Sequence, residues 1–471
     1  MKEEKTILSE DLRVYGDVRG AIGDTPLVRL NKVASDLGCT LYAKLEMLNP
    51  GGSIKDRIAF NIIENYEKEG RLKPGGTVVE ATSGNTGVGL AIACAIKGYQ
   101  SVFVMPDKMS QEKIDTLRAY GARVVVTPTA VEPDDPRSYY SVADRIVAET
   151  SGAVLANQYH NPSNPESHYL ATGPEIWRQT QGRVTDIVIG MGTGGTITGI
   201  GRYMRDQGHA VKIVGVDPKG SLLYDAWKQG GSAEGLEATT YKVEGIGEDF
   251  IPSTLDLSLA DQVVQVDDKE SFLWTRRMVR EEGIFCGGSS GAALAGAIKY
   301  ARDLGPDRVV VVILPDSGSR YLSKIFDDRW MEENGFLDRE PRQIPVSDLT
   351  GLQEIVTAAE IDPVADVVER MRTHAISQLP VVDPQGHLTG LVTEIDLLKL
   401  LLEAGESDRV VATIEPVVRR DVKRVSHADT LGDVMPDLLQ EKVVILVDND
   451  QQPTGILTII DALAFLSSKE A

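Results

Sequence analysis

An α/β body built on parallel sheets, followed by a smaller α+β module in two copies, is the fold this sequence predicts. Three observations predict it. From about residue 75 to 315, short apolar runs rich in Val and Ile alternate with helical patterns, as parallel βαβ units require. Over residues 331–350 the composition becomes polar and turn-rich. Beyond that, Thr389-Gly390-Leu391-Val392-Thr393-Glu394-Ile395-Asp396 returns 65 residues later as Thr454-Gly455-Ile456-Leu457-Thr458-Ile459-Ile460-Asp461. Asp383 and Asp448 keep the same offset, so a βαββα-like unit occurs twice.

Taken in order, residues 77–80 read as a strand and 87–97 as the helix after it. The strand 101–105 precedes the helical 111–120, and 123–127 is the next strand. Residues 185–190 feed the helix 196–205, which leads to 212–216. A helical stretch, 269–282, is followed by 291–303 and the strand 308–314. Parallel sheets with helices on both faces bind ligands outside the carboxyl ends of their strands, and the Gly-rich turns of this chain fall there. The expected domains are 1–330, a linker at 331–350, a first repeat at 351–405 and a second at 406–471.

Composition narrows the function classes. The 471 residues exceed a single core, and 42% apolar with 25% charged content is that of globular domains. No apolar run approaches the roughly 18–20 residues of a membrane span. Residues 1–10 are charged and lack an apolar core, which predicts no secretory signal and a cytoplasmic protein. A net charge of −21 argues against nucleic acid and anionic membranes as partners. Cys39, Cys94 and Cys286 form no CxxC and read as small core residues of a reducing compartment. Histidines begin only at His160 and show no HExxH, so no metal site is expected.

Four motifs carry chemistry. Asn49-Pro50-Gly51-Gly52-Ser53-Ile54-Lys55-Asp56-Arg57 sets Lys55 between a tight turn and an apolar helix. Such a lysine is either a solvated side chain, as most are, or a nucleophile inside a cleft. Thr82-Ser83-Gly84-Asn85-Thr86-Gly87 offers backbone N–H groups, three hydroxyls and an amide at a helix start. That suits a carboxylate, where capping alone needs one such side chain. Gly192-Thr193-Gly194-Gly195-Thr196 suits a phosphate. The same stretch, from Gly190, also satisfies G-x-G-x-x-G, and Asp217 follows Gly195 by 22 residues, so a NAD-dependent oxidoreductase stays open. Gly287-Gly288-Ser289-Ser290-Gly291 matches G-x-S-x-G of α/β-hydrolases. However, a helix precedes it closely, and His374, His387 and His427 lie beyond the linker.

One chemistry uses all four motifs. Pyridoxal phosphate needs an amine for its Schiff base (Lys55), a phosphate cradle (192–196), a partner for its ring nitrogen (Ser289) and a loop for the amino-acid carboxylate (82–86). A neutral hydroxyl at the ring nitrogen gives a mild electron sink, which favours elimination at the β-carbon.

Residues 20–330 resemble the fold-type II pyridoxal-phosphate enzymes of the cysteine synthase and cystathionine β-synthase family. The resemblance rests on the four motifs, on Val243-Glu244-Gly245-Ile246-Gly247-Glu248-Asp249-Phe250-Ile251-Pro252 and on Leu314-Pro315-Asp316-Ser317. It implies two parallel-sheet α/β subdomains of the tryptophan synthase β-subunit kind. It implies Lys55 as Schiff-base lysine and proton shuttle, Asn85 on the ring hydroxyl, Gly192, Thr193, Gly194, Gly195 and Thr196 on the phosphate, and Ser289 at the ring nitrogen. Thr82, Ser83 and Thr86 would hold the substrate carboxylate with Gln158, and Tyr159 would lie beside the leaving group. An acid at position 244 is the pattern of family members that use homocysteine, where cysteine synthases carry an amide. Glu248 departs from the animal members, which have an aromatic residue there.

Residues 350–465 resemble a CBS-domain pair (a Bateman module). Thr393 with Asp396, and Thr458 with Asp461, fall where such modules meet an adenosyl ligand, S-adenosylmethionine or an adenine nucleotide; a packing module with empty sites is the competing reading. No Cys-Pro-x-His is present, so the haem of the animal members is not expected. The resemblance implies β-replacement on L-serine or O-acetylserine by L-homocysteine, giving L-cystathionine in transsulfuration with hydrogen sulfide as a further product, in a homodimer or larger assembly. A cysteine synthase using sulfide is the close alternative, and a ligand-sensing module with an idle first domain is a further one.

Overall fold

The computed structural model describes residues 7–9, 12–82, 84–107, 109, 111–128, 131, 135–337, 344–349, 355–403, 413–440 and 442–467. The chain divides into two compact units at Phe336 and Leu337.

The first unit opens with a hairpin, β1 (Ile7–Ser9) and β2 (Leu12–Tyr15), then β3 (Leu27–Arg29), β4 (Thr40–Leu45) and α1 (Lys55–Lys68). Next come β5 (Thr77–Ala81), α2 (Asn85–Lys97), β6 (Gln100–Pro106), α3 (Gln111–Ala119), β7 (Arg123–Thr127), α4 (Tyr139–Glu149), β8 (Ala153–Leu155), α5 (Ser163–Ser167) and α6 (Gly173–Gln179). It closes with β9 (Asp186–Gly190), α7 (Gly195–Asp206), β10 (Lys212–Pro218), α8 (Leu223–Lys228), β11 (Gln262–Val266), α9 (Asp268–Arg277), α10 (Gly288–Ala301), β12 (Val309–Leu314) and α11 (Asp328–Glu333).

Two sheets result. One is four-stranded and parallel, in the order β7-β6-β5-β8. The other is six-stranded, in the order β11-β10-β9-β12-β4-β3, and parallel except for the edge strand β3. Strands such as Val309–Leu314 are apolar throughout because both faces are covered. In β5, Val78 joins the core beneath α1 and α2, with Ile58, Ile62, Leu90 and Phe103, while Val79 joins the opposite core, with Val102, Val104 and Val142. The α/β expectation and its two subdomains therefore hold.

Beneath α1 lies a quartet of buried charge: Lys44, Glu46, Arg57 and Glu175. Arg57 donates to Glu46 and Glu175, both at 2.7 Å, and Lys44 reaches Glu175 at 3.0 Å. Two cations and two anions balance, so each single removal strands a charge. Arg57→Ala should cost about 3–5 kcal/mol of unfolding free energy, read from the denaturant midpoint; a loss below about 1 kcal/mol would mean the quartet is solvated like a surface pair.

The second unit repeats one plan. β13 (Ala358–Ala359), α12 (Val364–His374), β14 (Gln378–Val382), β15 (Leu388–Thr393) and α13 (Glu394–Glu403) form the first copy. β16 (Lys423–Val425), α14 (Leu431–Leu438), β17 (Val444–Val447), β18 (Pro453–Leu457) and α15 (Ile459–Ser467) form the second. Each sheet has one parallel and one antiparallel pair. Leu388 and Leu391 of one copy pack with Ile445 and Val447 of the other. The stretch expected as a linker is packed at both ends. Phe336 meets Phe272 edge to face in the first unit, and Ile344, Val346 and Leu349 enter the core around Leu431 in the second. The boundary expected at 405/406 lies outside the described residues. Among the described residues, no helix is long and apolar enough to cross a membrane.

Candidate active site

Loops from both sheets converge at the carboxyl ends of β5, β9 and β12. Lys55 opens α1. Its preceding turn is stitched to the segment after β12: Ile54 N–H donates to Pro315 O (2.8 Å), Ser317 N–H to Gly52 O (3.1 Å), and Ser53 bridges to Asp316. Gly51 N–H donates to the Asp56 carboxylate at 2.5 Å, which closes the turn. Lys55 is half-buried, and its amine has no hydrogen-bond or ion-pair partner among the described residues. Loss of water lowers its pKa, opposed by the carboxyls of Glu248 and Asp316. The start of a helix disfavours a cation further.

The 82–87 loop links β5 to α2. Buried Glu80 accepts N–H groups from Asn157 (2.6 Å) and Gln158 (3.2 Å), which pins the 157–159 turn against that loop. The Thr86 hydroxyl then donates to Gln158 Oε1 at 2.5 Å. Thr82, Thr86, Gln158 and Tyr159 are brought together; Ser83 lies outside the described residues. Asn85 Nδ2 donates to Asp316 Oδ2 (2.9 Å), which keeps its second N–H for a ligand. Asp316 also accepts from the Tyr321 hydroxyl (2.7 Å), and its Oδ1 has no partner.

The 192–196 loop links β9 to α7. Gly194 takes φ +82°, open to glycine, and a Cβ on Gly195 would lie 1.8 Å from Asn164 Oδ1. Asn164 is held by Gln158 O (2.8 Å) and Thr193 Oγ1 (3.3 Å), and its Oδ1 is unpartnered. Buried His168 meets the Thr196 hydroxyl (3.3 Å) and Thr172 (2.9 Å); enclosure drives its pKa down, so the ring is neutral. Ser289, buried in the first turn of α10, lies across from Gly245, 3.7 Å from where a Cβ would stand. No strand delivers it: α9, its closing turn and a lone bridge at Cys286 come before, against the hydrolase reading. Asp217 is fully buried and caps Tyr224 N–H (2.9 Å), so it faces away from any ribose, against the dinucleotide reading.

Glu244 lies between Lys113 Nζ (2.6 Å) and Lys324 Nζ (2.7 Å). Burial would raise its pKa, but the two ammonium groups hold it below the ordinary carboxylate value. The acid at 244 therefore stands in a charge triad with two lysines.

A model of pyridoxal-phosphate dependent enzymes matches residues 18–316, and a CBS-domain model matches 346–403. The cystathionine β-synthase of Oryctolagus cuniculus is 40% identical over 487 residues, covering 98% of this chain and 87% of its own length. The chain belongs to the cystathionine β-synthase family. The cysteine synthase of Staphylococcus aureus is 43% identical over 311 residues, covering 65% of this chain and 96% of its own length. The crystal structure of O-ureido-L-serine synthase superposes with a TM-score of 0.61 at 35% identity, over 68% of this chain and 99% of that one.

As a member of the cystathionine β-synthase family the chain is a pyridoxal-phosphate-dependent enzyme, and its residues fit the cofactor. An anion cradle that a Cβ would fill, an amine with no partner among the described residues and the orphaned buried oxygens Asn164 Oδ1 and Asp316 Oδ1 lie in and around these loops. Sequence reasoning missed Glu80, Asn164, Tyr321, Lys113 and Lys324. Only the Asp316 motif was in view, without its role.

Proposed function

We propose that this enzyme condenses L-serine, or an O-acylated serine, with L-homocysteine to give L-cystathionine. Supporting it is the convergence of Lys55 with the 82–87 and 192–196 loops, beside the Glu244 triad. When bound, pyridoxal phosphate withdraws electrons from the α-carbon of an amino acid. Gly192, Thr193, Gly194, Gly195 and Thr196 would hold its phosphate, Asn85 its ring oxygen and Ser289 its ring nitrogen. Thr82, Thr86 and Gln158 hold the substrate carboxylate. The Lys55 amine takes the α-proton and later returns it.

The triad separates the thiols. A zwitterionic amino acid brings one carboxylate and one ammonium, which a cluster of two lysines and one glutamate matches; sulfide brings neither. Glu244→Gln should raise the KM for homocysteine roughly 10–100-fold, as expected for losing a charge-assisted hydrogen bond, and leave sulfide turnover unchanged. Product chromatography after serine plus homocysteine, against O-acetylserine plus sulfide, tests the reading. Cysteine from the second mixture with no cystathionine from the first would replace it by cysteine synthase.

The repeats fit an adenosyl ligand at the second copy. Both aspartates accept from their threonines, at 2.6 Å. Asp396 is also paired with Arg419 at 2.7 Å, whereas among the described residues the Asp461 carboxylate meets Thr458 alone. Titration calorimetry should show S-adenosylmethionine binding that Asp461→Ala abolishes; undiminished binding in that variant would move the site elsewhere. The reading includes no haem: none of Cys39, Cys94 and Cys286 stands in a Cys-Pro-x-His. It includes a homo-oligomer: Ile395, Leu398 and Leu402 on α13, and Ile460, Leu463 and Leu466 on α15, repeat an exposed apolar stripe.

A further inference from the structure

Two glutamates of one loop, four residues apart, meet opposite surroundings. Glu244 is held ionised by Lys113 and Lys324. Among the described residues, Glu248 has no such pair. Its main chain is fixed: Ser221 Oγ accepts Glu248 N–H (3.0 Å), Leu222 N–H donates to Glu248 O (3.1 Å), and Gly247 N–H donates to Met191 O (2.6 Å) beside the phosphate loop. Gly247 is left-handed (φ +78°), and a Cβ there would strike Pro218 at 2.5 Å, so the turn aims the Glu248 side chain one way. That way leads toward Tyr159, whose ring packs on Phe250 of the same loop with centroids 5.3 Å apart, and to the surroundings of Lys55, whose charged form the Glu248 carboxyl favours.

We propose that Glu248 is the proton donor to the leaving oxygen of the first substrate, and that this substrate is therefore serine itself, not an O-acylated serine. The inference rests on the β-replacement reading and deepens it. Hydroxide is a poor leaving group and needs a proton; a carboxylate leaves without one. The Cβ–O bond breaks with its electron pair going to oxygen, the Glu248 proton joins that oxygen, and water departs. The carboxylate left behind takes the S–H proton of the incoming thiol as the S–Cβ bond forms, which restores the acid. Lys55 is left to carry the α-proton alone. Atoms balance as serine plus thiol giving thioether plus water.

The groups facing Glu248 are consistent with an acid at neutral pH. Enclosure and the neighbouring Asp249 and Asp217 push its pKa up to about 8, against Tyr159 and Lys55; Tyr139, Tyr140 and Tyr241 complete the surroundings. Two carboxyls whose environments drive their pKa values apart are the signature of divided acid–base roles. Because the protonated form is the active one, serine turnover should fall as pH rises through about 8.

The experiment compares wild type, Glu248→Gln and Glu248→Asp with serine and with O-acetylserine, each with homocysteine. The expected result is a loss of roughly 100-fold or more in kcat/KM for serine in Glu248→Gln, partial retention in Glu248→Asp, and a change of only a few-fold for O-acetylserine. The high-pH limb should be present for serine and absent for O-acetylserine. Infrared difference spectra, wild type minus Glu248→Gln, should show a carboxylic-acid carbonyl band at pH 7 that disappears at high pH. Equal losses with both donors, or an ionised carboxyl at pH 7, overturns the proposal. Wild type active with O-acetylserine alone overturns the proposal and spares β-replacement; wild type inactive with both donors overturns both.

Discussion

Lys55→Ala should lose about 10⁴-fold or more in kcat/KM, the largest effect of any single substitution in this chain. The amine serves twice, as covalent attachment and as the carrier of the α-proton, and no other lysine stands ready: Lys113 and Lys324 are both committed to Glu244. The fold should not suffer. Alanine is the better helix former, and the substitution removes a partly buried ammonium at a helix start. Unchanged thermal unfolding with abolished turnover is the expected pair of results. Lys55→Arg should be equally inactive, since a guanidinium stays protonated. Turnover within 10-fold of wild type in either variant would remove Lys55 from the chemistry.

Gly195→Ala should release the cofactor. Its new Cβ would stand 1.8 Å from Asn164 Oδ1, and Asn164 is anchored by Gln158 O and Thr193 Oγ1, so it cannot swing aside without unmaking the loop. Displacing the first turn of α7 by about 1 Å should weaken cofactor binding roughly 100-fold, measured by absorbance titration of the apoenzyme. Affinity equal to wild type would mean that the phosphate sits elsewhere.

Much of this was legible in the sequence because it is local. A lysine after Pro-Gly-Gly, and hydroxyls or glycines between a strand and a helix, are read within a handful of residues. The repeat at an offset of 65 residues was legible for the same reason, and it returns as α13 and α15. What stayed hidden depends on long loops closing. Lys113 reaches Glu244 across 131 residues, and Lys324 across 80. Glu80 looks like a strand residue until its carboxylate meets two N–H groups from a turn 77 and 78 residues away. Asp217 is the instructive failure: its spacing suits a ribose, but a side chain at a strand end can turn inward to cap the next helix, and spacing does not encode that choice.

The stitching ahead of Lys55 carries a mechanical consequence. The body of α1 packs with α2 over the four-stranded sheet, yet the turn that leads into it, Gly52–Ile54, is bonded to the segment leaving β12 of the other sheet. The amine therefore stands on the axle between the two halves. A substrate that drew the 82–87 loop inward would rotate one half about a point close to Lys55, so the closing motion would travel furthest at the rim and least at the reacting atom. Shutting the cleft and keeping the proton carrier in register are then one movement.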